Sequence, residues 1–551
     1  MVTNITNVKL LGDNSSAIHI IDNTRFVVTE FTDAKFVVES DASLMLTDNV
    51  DFTMKKDALI YGLFGTGSQK VFIADNLDLS PQNLVVSSFT VTETGNMTTI
   101  GSDGNLDLEC VNIAFNGIFA PKTTVSFGPG IDSLAVGEFG QFIARVQNDV
   151  LVDQVTVDGA MNVTGNWTLR GQSRDGVEEL VIGSTGRMVI DSYSQSLANW
   201  SGVSIFMVHS TVIDGELLGG LLSNVQVDGT TTCDYWFVNV TGRAEFESAD
   251  PFLCKNIDVD GNLVVYNSLT LEAPESSTTG LTMIIGEQAS VQLDSKSTHP
   301  HGPWNGVSNI TGVKFETKEG STVQLGNVKV IVTDVMIDGE LTCEALDPIE
   351  VDQFTVGVNG HVETASPIVT KGLTHLRVVS FIVDGYLKLD TRADHAAREW
   401  TNSSVLNVEH VNIGPSAFVY AGYLSVGEKW DTFEVKNAAL VEFEPSGVFQ
   451  IDDSHINGTV KSYVPMTTGR HLTGVTMDIE DTGTLDLDYL GPPNDTNSGS
   501  LPSYINMEGV IVSGVLQGGS IVMDVVTIFV NTSGRIDASS GGYEKDQGPG
   551  K

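Results

Sequence analysis

Basic residues are scarce in this chain. Its 551 residues carry 29 Lys and Arg against 70 Asp and Glu, a formal net charge of −41, and the pI is near 4.3. So acidic a surface repels nucleic-acid phosphates and anionic bilayers, which excludes both as expected partners and leaves cations as the favoured small ligands. Long apolar runs are missing too. Even Ile521 to Val530 is interrupted by Asp524, so no membrane insertion is expected. The opening MVTNITNVKLLG has neither a basic n-region nor an apolar h-region, so no secretory signal is visible in it. Four cysteines set no disulfide framework, because a core of this size needs no staples. Helical patterns are nearly absent, the best being Ala393 to Trp400. The phosphate-binding loop and the GxSxG elbow are both missing, and glycines mark turns instead of opening helices.

Against these absences stands one recurring phrase: a glycine, hydrophobic residues two and four positions later, then an acid. It reads GNLDLE from Gly104, GRMVID from Gly186, GTTTCD from Gly229, GRAEFE from Gly242, GELTCE from Gly339, GYLKLD from Gly385, GVFQID from Gly447 and GTLDLD from Gly483. A turn glycine followed by strict alternation describes a short strand with one buried face. Copies spread through the chain mean that one small unit is stacked, each covering the apolar face its neighbour cannot bury alone. Asp-Gly corners precede several strands, as in VTVDG ending at Gly159, IDVDG at Gly261, VMIDG at Gly339 and FIVDG at Gly385. The sequence reading assigns these glycines a positive φ.

The hydrophobic content of 41% suffices for a continuous core despite the charge. The turn glycines Gly320, Gly339, Gly360 and Gly385 leave room for two or three short strands per coil. Neither a leucine-rich repeat nor a steady propeller period fits. The expected fold is all-β, a parallel β-helix, or β-solenoid, with variable loops. At roughly 25 residues per coil it makes about 20 coils. Residues 1–535 read as one continuous solenoid, and 536–551 as the start of a Gly-rich loop or tail.

A longer period overlies the coils. Asp191, Asp294, Asp390 and Asp488 end equivalent strands about a hundred residues apart, and Trp200, Trp304 and Trp400 follow the first three. The simpler reading makes each Trp a packing anchor for a long loop. The sharper one makes the three a row of contacts for carbohydrate or a neighbouring chain, multivalent by repetition.

Sequons N-x-S/T occur at Asn4, Asn14, Asn96, Asn162, Asn166, Asn199, Asn239, Asn309, Asn402, Asn457, Asn494 and Asn531. They are candidate glycosylation sites, with unmodified turn asparagines as the alternative. Cys233 and Cys254 lie 21 residues apart, close to one coil, and equivalent positions on stacked coils fall within disulfide reach. Buried thiols acting as small hydrophobes are the other reading of Cys233 and Cys343.

With its glycine-led coils and its closing IDASSGGYEKDQGPGK, the chain resembles the large secreted or surface-exposed β-helical repeat proteins, adhesin-like, whose coils run into Gly-rich GGY and GPG segments. That resemblance implies an extracellular or cell-surface spacer, adhesin or fibre subunit. It names no ligand, and it implies a polypeptide continuing past Lys551; carbohydrate or further copies of the chain are the partners that the repeated Trp segments suggest.

The alternative is a carbohydrate-active β-helix enzyme, a polysaccharide lyase or hydrolase, or a tailspike-like carbohydrate binder. Polygalacturonase-like enzymes share NTD, DD, GHG and RIK phrases, of which only Asp452 with Asp453 is matched. Gly360 and His361 lack the second glycine, and Arg535 opens RID. No catalytic residue is therefore assigned. His299 and His301 read as loop histidines, and no metal site or cofactor is expected. Alternating acids such as Asp486 and Asp488 offer Ca²⁺ a place between coils, with a solvated acidic face as the simpler reading.

Overall fold

Alternation of apolar and polar residues yields strands with one buried face, and the computed structural model is built from such strands. It describes the backbone from Thr3 to Ala538 outside a set of connecting segments, and side chains from Val71 onward. The longest connecting segments left out are 171–178, 191–203, 225–232, 294–307, 390–403, 463–470 and 488–502. The helical candidate Ala393 to Trp400 falls within one of them. Among the described residues there is no helix, hence none long and apolar enough to cross a membrane. The strands pair in parallel, coil upon coil. The architecture is a parallel β-solenoid, as the repeat phrase predicts.

The chain divides into two compact units. The first holds Met1–Leu269 with Pro274–Ser277 and Ser297–Pro303; the second holds Thr270–Ala273, Thr278–Lys296 and Trp304–Lys551. In the first unit, one coil shows the cross-section. Its three short strands, Ala160–Thr164, Thr168–Arg170 and Glu179–Ile182, stack on Gln141–Val146 and on the two halves of Asp149–Val157.

Register carries the core. In the first unit Ile73, Val91, Phe115, Val136, Val157, Ile182, Ile213, Val238 and Val259 form one interior column, none more than 1% exposed. The second unit repeats the device with Ile285, Thr317, Ile337, Val356, Val383, Ile413, Val435, Ile456, Ile479 and Val512. Burying each such Val or Ile contributes about 1.5–3 kcal/mol. Leu387 and Leu389, the apolar slots of GYLKLD, are each 1% exposed.

The corner glycines have a different cause from the one the sequence suggests. Positive-φ glycines among the described residues are Gly101, Gly104, Gly130, Gly165, Gly280 and Gly320; of these only Gly104 follows an aspartate, Asp103, and the corner glycines Gly159, Gly261, Gly339 and Gly385 are not among them. Close approach of the coil below is what excludes a side chain. A Cβ on Gly159 would lie 2.2 Å from the Gly137 carbonyl oxygen, and one on Gly385 would lie 2.3 Å from those of Gly357 and Gly360.

Candidate functional surface: stacked corners and loop bases

Two corner lengths alternate along the first unit. Short corners are a polar residue and a glycine, at Asn116-Gly117, Asp158-Gly159, Asp214-Gly215 and Asp260-Gly261. Between them stand four-residue turns at 137–140, 183–186 and 239–242, each closed by the fourth amide donating 2.7 Å to the first carbonyl. The second unit shows the same pairing at Gly357–Gly360 with Asp384-Gly385. Short corners are recessed, whereas the middle residues of the long turns project. Phe139 is 68%, Val240 66% and Val358 76% exposed.

Side chains tie the long turns 183–186, 239–242 and 480–483 to the short corner beneath. The third residue of each donates a hydroxyl to the main-chain carbonyl below: Thr185 to Asp158 at 2.7 Å, Thr241 to Asp214 at 2.9 Å and Thr482 to Asn457 at 2.9 Å, whereas 137–140 and 357–360 carry Phe139 and Asn359 there. Asn239 begins its turn by accepting from the Val240 amide at 2.8 Å and donating through Nδ2 to Asp214 Oδ1 at 2.6 Å. Long turns two coils apart also meet across the recess, where Ser533 Oγ donates to Asp481 Oδ1 at 2.9 Å. The corner aspartates and asparagines therefore serve stacking as well as turning.

The long segments of the hundred-residue period leave equivalent places. The segments 294–307, 390–403 and 488–502 follow strands of the second unit whose Val291, Leu387 and Leu485 share one register column. Trp200, Trp304 and Trp400, with Asp191, Asp294, Asp390 and Asp488, lie outside the described residues. What the sequence reading missed is the point of return. Ser204, Ser308, Ser404 and Ser503 re-enter the coil at 1%, 0%, 1% and 1% exposure. Ser503 Oγ donates to the Leu487 carbonyl at 3.1 Å and so closes the base of its segment. The sequence carries a signal for them, since these serines repeat with nearly the same spacing as the aspartates.

Cys233 and Cys254 are joined by a disulfide between adjacent coils, with Cα atoms 4.7 Å apart. Cys110 and Cys343 are free and buried, and burial pushes the Cys110 thiol up to about 12, which removes it as a nucleophile. Polar groups gather around the disulfide. Asp234 faces His209 Nδ1 at 3.2 Å and the Lys255 ammonium. The Asn224 amide pairs with the Leu253 main chain in both directions, at 2.7 and 2.9 Å. Nearby, the Tyr235 hydroxyl donates to Asp258 at 2.9 Å. Burial and that bond push Tyr235 up to about 12. Asp258 is raised by burial and by the Asp260 charge, against the bond from Tyr235.

The residues that suggested enzyme motifs are placed separately. Asp452 pairs with Lys429, and Asp453 accepts from Thr476 at 2.6 Å. His361 stacks on Tyr386 with ring centroids 4.2 Å apart and meets Glu363 at 3.2 Å. Arg535 lies 3.8 Å from Asp537. Asp486 accepts from Gln517 at 2.7 Å, whereas Asp488, His299 and His301 lie outside the described residues. Among the described residues no three His, Cys, Asp or Glu side chains gather as metal ligands.

The sequons scatter over strands and corners. Asn96, Asn162 and Asn309 sit on strands, as does Asn4, while Asn239, Asn457 and Asn531 sit at corners. Asn14, Asn166, Asn199, Asn402 and Asn494 lie outside the described residues. No protein-family model, curated protein or solved structure matches the chain.

Proposed function

We propose that this β-solenoid is an extracellular or cell-surface glycoprotein with a structural or adhesive role, acting as spacer, fibre subunit or adhesin and not as a catalyst. The observation that carries this reading is the Cys233–Cys254 bridge between stacked coils, because such cross-links form and persist in oxidising compartments. Repetition supports it further. Strands of one register column lead into a long segment three times over, and repetition of that kind favours multivalent contact with carbohydrate or with other copies of the chain. The acidic surface disfavours polyanionic partners. Labelling intact source cells with a membrane-impermeant amine reagent tests the placement. The reading expects the chain to be labelled; protection until lysis would contradict it.

One observation favours a second reading, a carbohydrate-active enzyme. Asp258, raised by burial and beside Asp260 and Tyr235, has the character of a proton-donating carboxyl. A reducing-end assay on neutral polysaccharides separates the two. The scaffold releases no sugar, whereas an enzyme releases sugar that Asp258→Asn abolishes.

A further inference from the structure

Some four-residue corners are tied to the coil below by two side chains. In the turn 239–242 the first residue, Asn239, accepts from the amide that follows it and reaches Asp214 below, and the third, Thr241, donates its hydroxyl to the carbonyl beneath; Thr185 and Thr482 make the second contact elsewhere. Asn531 donates through Nδ2 to the hydroxyl of Ser513, itself 8% exposed, and Ser533 bonds the neighbouring long turn. Wherever Asn at the first position coincides with Thr or Ser at the third, the corner spells N-x-S/T without reference to any sugar. At Asn239 and Asn531, stacking chemistry accounts for the sequon.

Other described sequons also commit their side chains. Asn96 Nδ2 donates to Asn76 Oδ1 at 3.2 Å, Asn309 Nδ2 to Thr270 Oγ1 at 3.4 Å, and the Asn457 side-chain oxygen shares the one Thr482 hydroxyl proton with its own main-chain carbonyl. Asn162 differs. It occupies an outward, half-buried position in Ala160–Thr164, and among the described residues its side chain makes no hydrogen bond. It stacks between Ile143 and Val189, and Ile143 leaves 43% of its surface to solvent. A sugar on Asn162 would cover that apolar surface and break no hydrogen bond among the described residues, whereas a sugar on Asn239 would replace one of the two Nδ2 hydrogens and crowd the 2.6 Å contact to Asp214.

We infer that Asn162 is an N-glycan acceptor, and that Asn239 and Asn531 are stacking residues left unmodified. This rests on the extracellular reading and divides its sequons by geometry. The test is site-by-site occupancy in the wild-type chain, directed into a eukaryotic secretory pathway by an added signal peptide and read whether the chain is released or retained. Peptides are mapped after release by a peptide N-glycosidase in heavy-oxygen water; this amidase hydrolyses the sugar-bearing amide to an aspartate carrying one heavy oxygen, which marks each formerly glycosylated asparagine. The inference expects the mark at Asn162 and none at Asn239 or Asn531, with Asn162→Gln removing one glycan's mass from the intact chain. An unmarked Asn162, or a mark at Asn239 or Asn531, overturns it. Labelling of intact source cells decides the compartment independently, so failure of the glycan assignment and failure of the extracellular reading are distinguishable.

Discussion

The Thr241 hydroxyl donates to the main-chain carbonyl of Asp214 at 2.9 Å, from a four-residue turn down to the two-residue corner of the coil below. The same contact recurs at Thr185 and Thr482. Thr241→Val keeps the shape and removes the donor, so it is expected to cost about 1 kcal/mol in a urea titration. A loss well below that would mean that solvent serves the carbonyl as well as Thr241 does.

Close backbone approach at the corners predicts a contrast between two glycines. Gly385→Ala places a methyl against the Gly357 and Gly360 carbonyls, which cannot move without opening a coil. Its expected cost is about 3 kcal/mol. Gly447→Ala meets nothing within 4 Å and should change stability by less than about 0.5 kcal/mol. Equal effects at the two positions would remove the close-approach explanation.

Core register predicts one loss and one gain. Leu387→Ala should cost roughly 2–5 kcal/mol, because Leu387 lies between Val362 and Val419 in a filled column. Ser454 interrupts another interior column between Phe433 and Met477. It borders an apolar cavity of about 40 Å³ lined also by Phe433, Phe443 and Trp430. Ser454→Val should therefore stabilise the chain by about 0.5–2 kcal/mol in the same titration, and destabilisation would show that the hydroxyl's 3.3 Å bond to Thr476 outweighs the filled space.

Acid sensitivity should concentrate where buried carboxylates meet lysines. Burial of Glu316, at 4% exposure, raises its carboxyl pKa, but Lys314 and Lys318 outweigh burial and hold it below the usual carboxylate value. A folded-state value below the unfolded one contributes stability that is fully present above the unfolded pKa and lost as pH falls through the folded one. Glu316→Gln should flatten the acid limb of a midpoint-against-pH curve and change its slope little near neutrality. An unchanged acid limb would mean that other carboxylates set it.

The strand alternation was legible because a half-buried strand leaves a period of two in the sequence, and Leu387 and Leu389 are placed inward as that period requires. Cys233 and Cys254 were legible as a pair because their separation matches one coil. The alternation of long and short corners was less so. It is a relation between neighbouring coils, and no single phrase such as VTVDG contains it. Gly159 could be identified as a corner glycine, but its reason, the carbonyls of Gly137 and Gly140, lies in another coil. The returning serines Ser204, Ser308, Ser404 and Ser503 are hard to read from the sequence, because a small buried hydroxyl looks like any other serine, whereas Trp200, Trp304 and Trp400 stand out by their rarity.

The account rests on adjacent coils stacked in one register and on an oxidising compartment, and one measurement addresses both. A non-reducing peptide map of the protein from its native source, with free thiols alkylated before digestion, is predicted to yield a single disulfide-linked pair containing Cys233 and Cys254, with Cys110 and Cys343 alkylated only after denaturation. Recovery of Cys233 and Cys254 as free thiols would contradict the compartment, and a bridge from either to Cys110 or Cys343 would contradict the register.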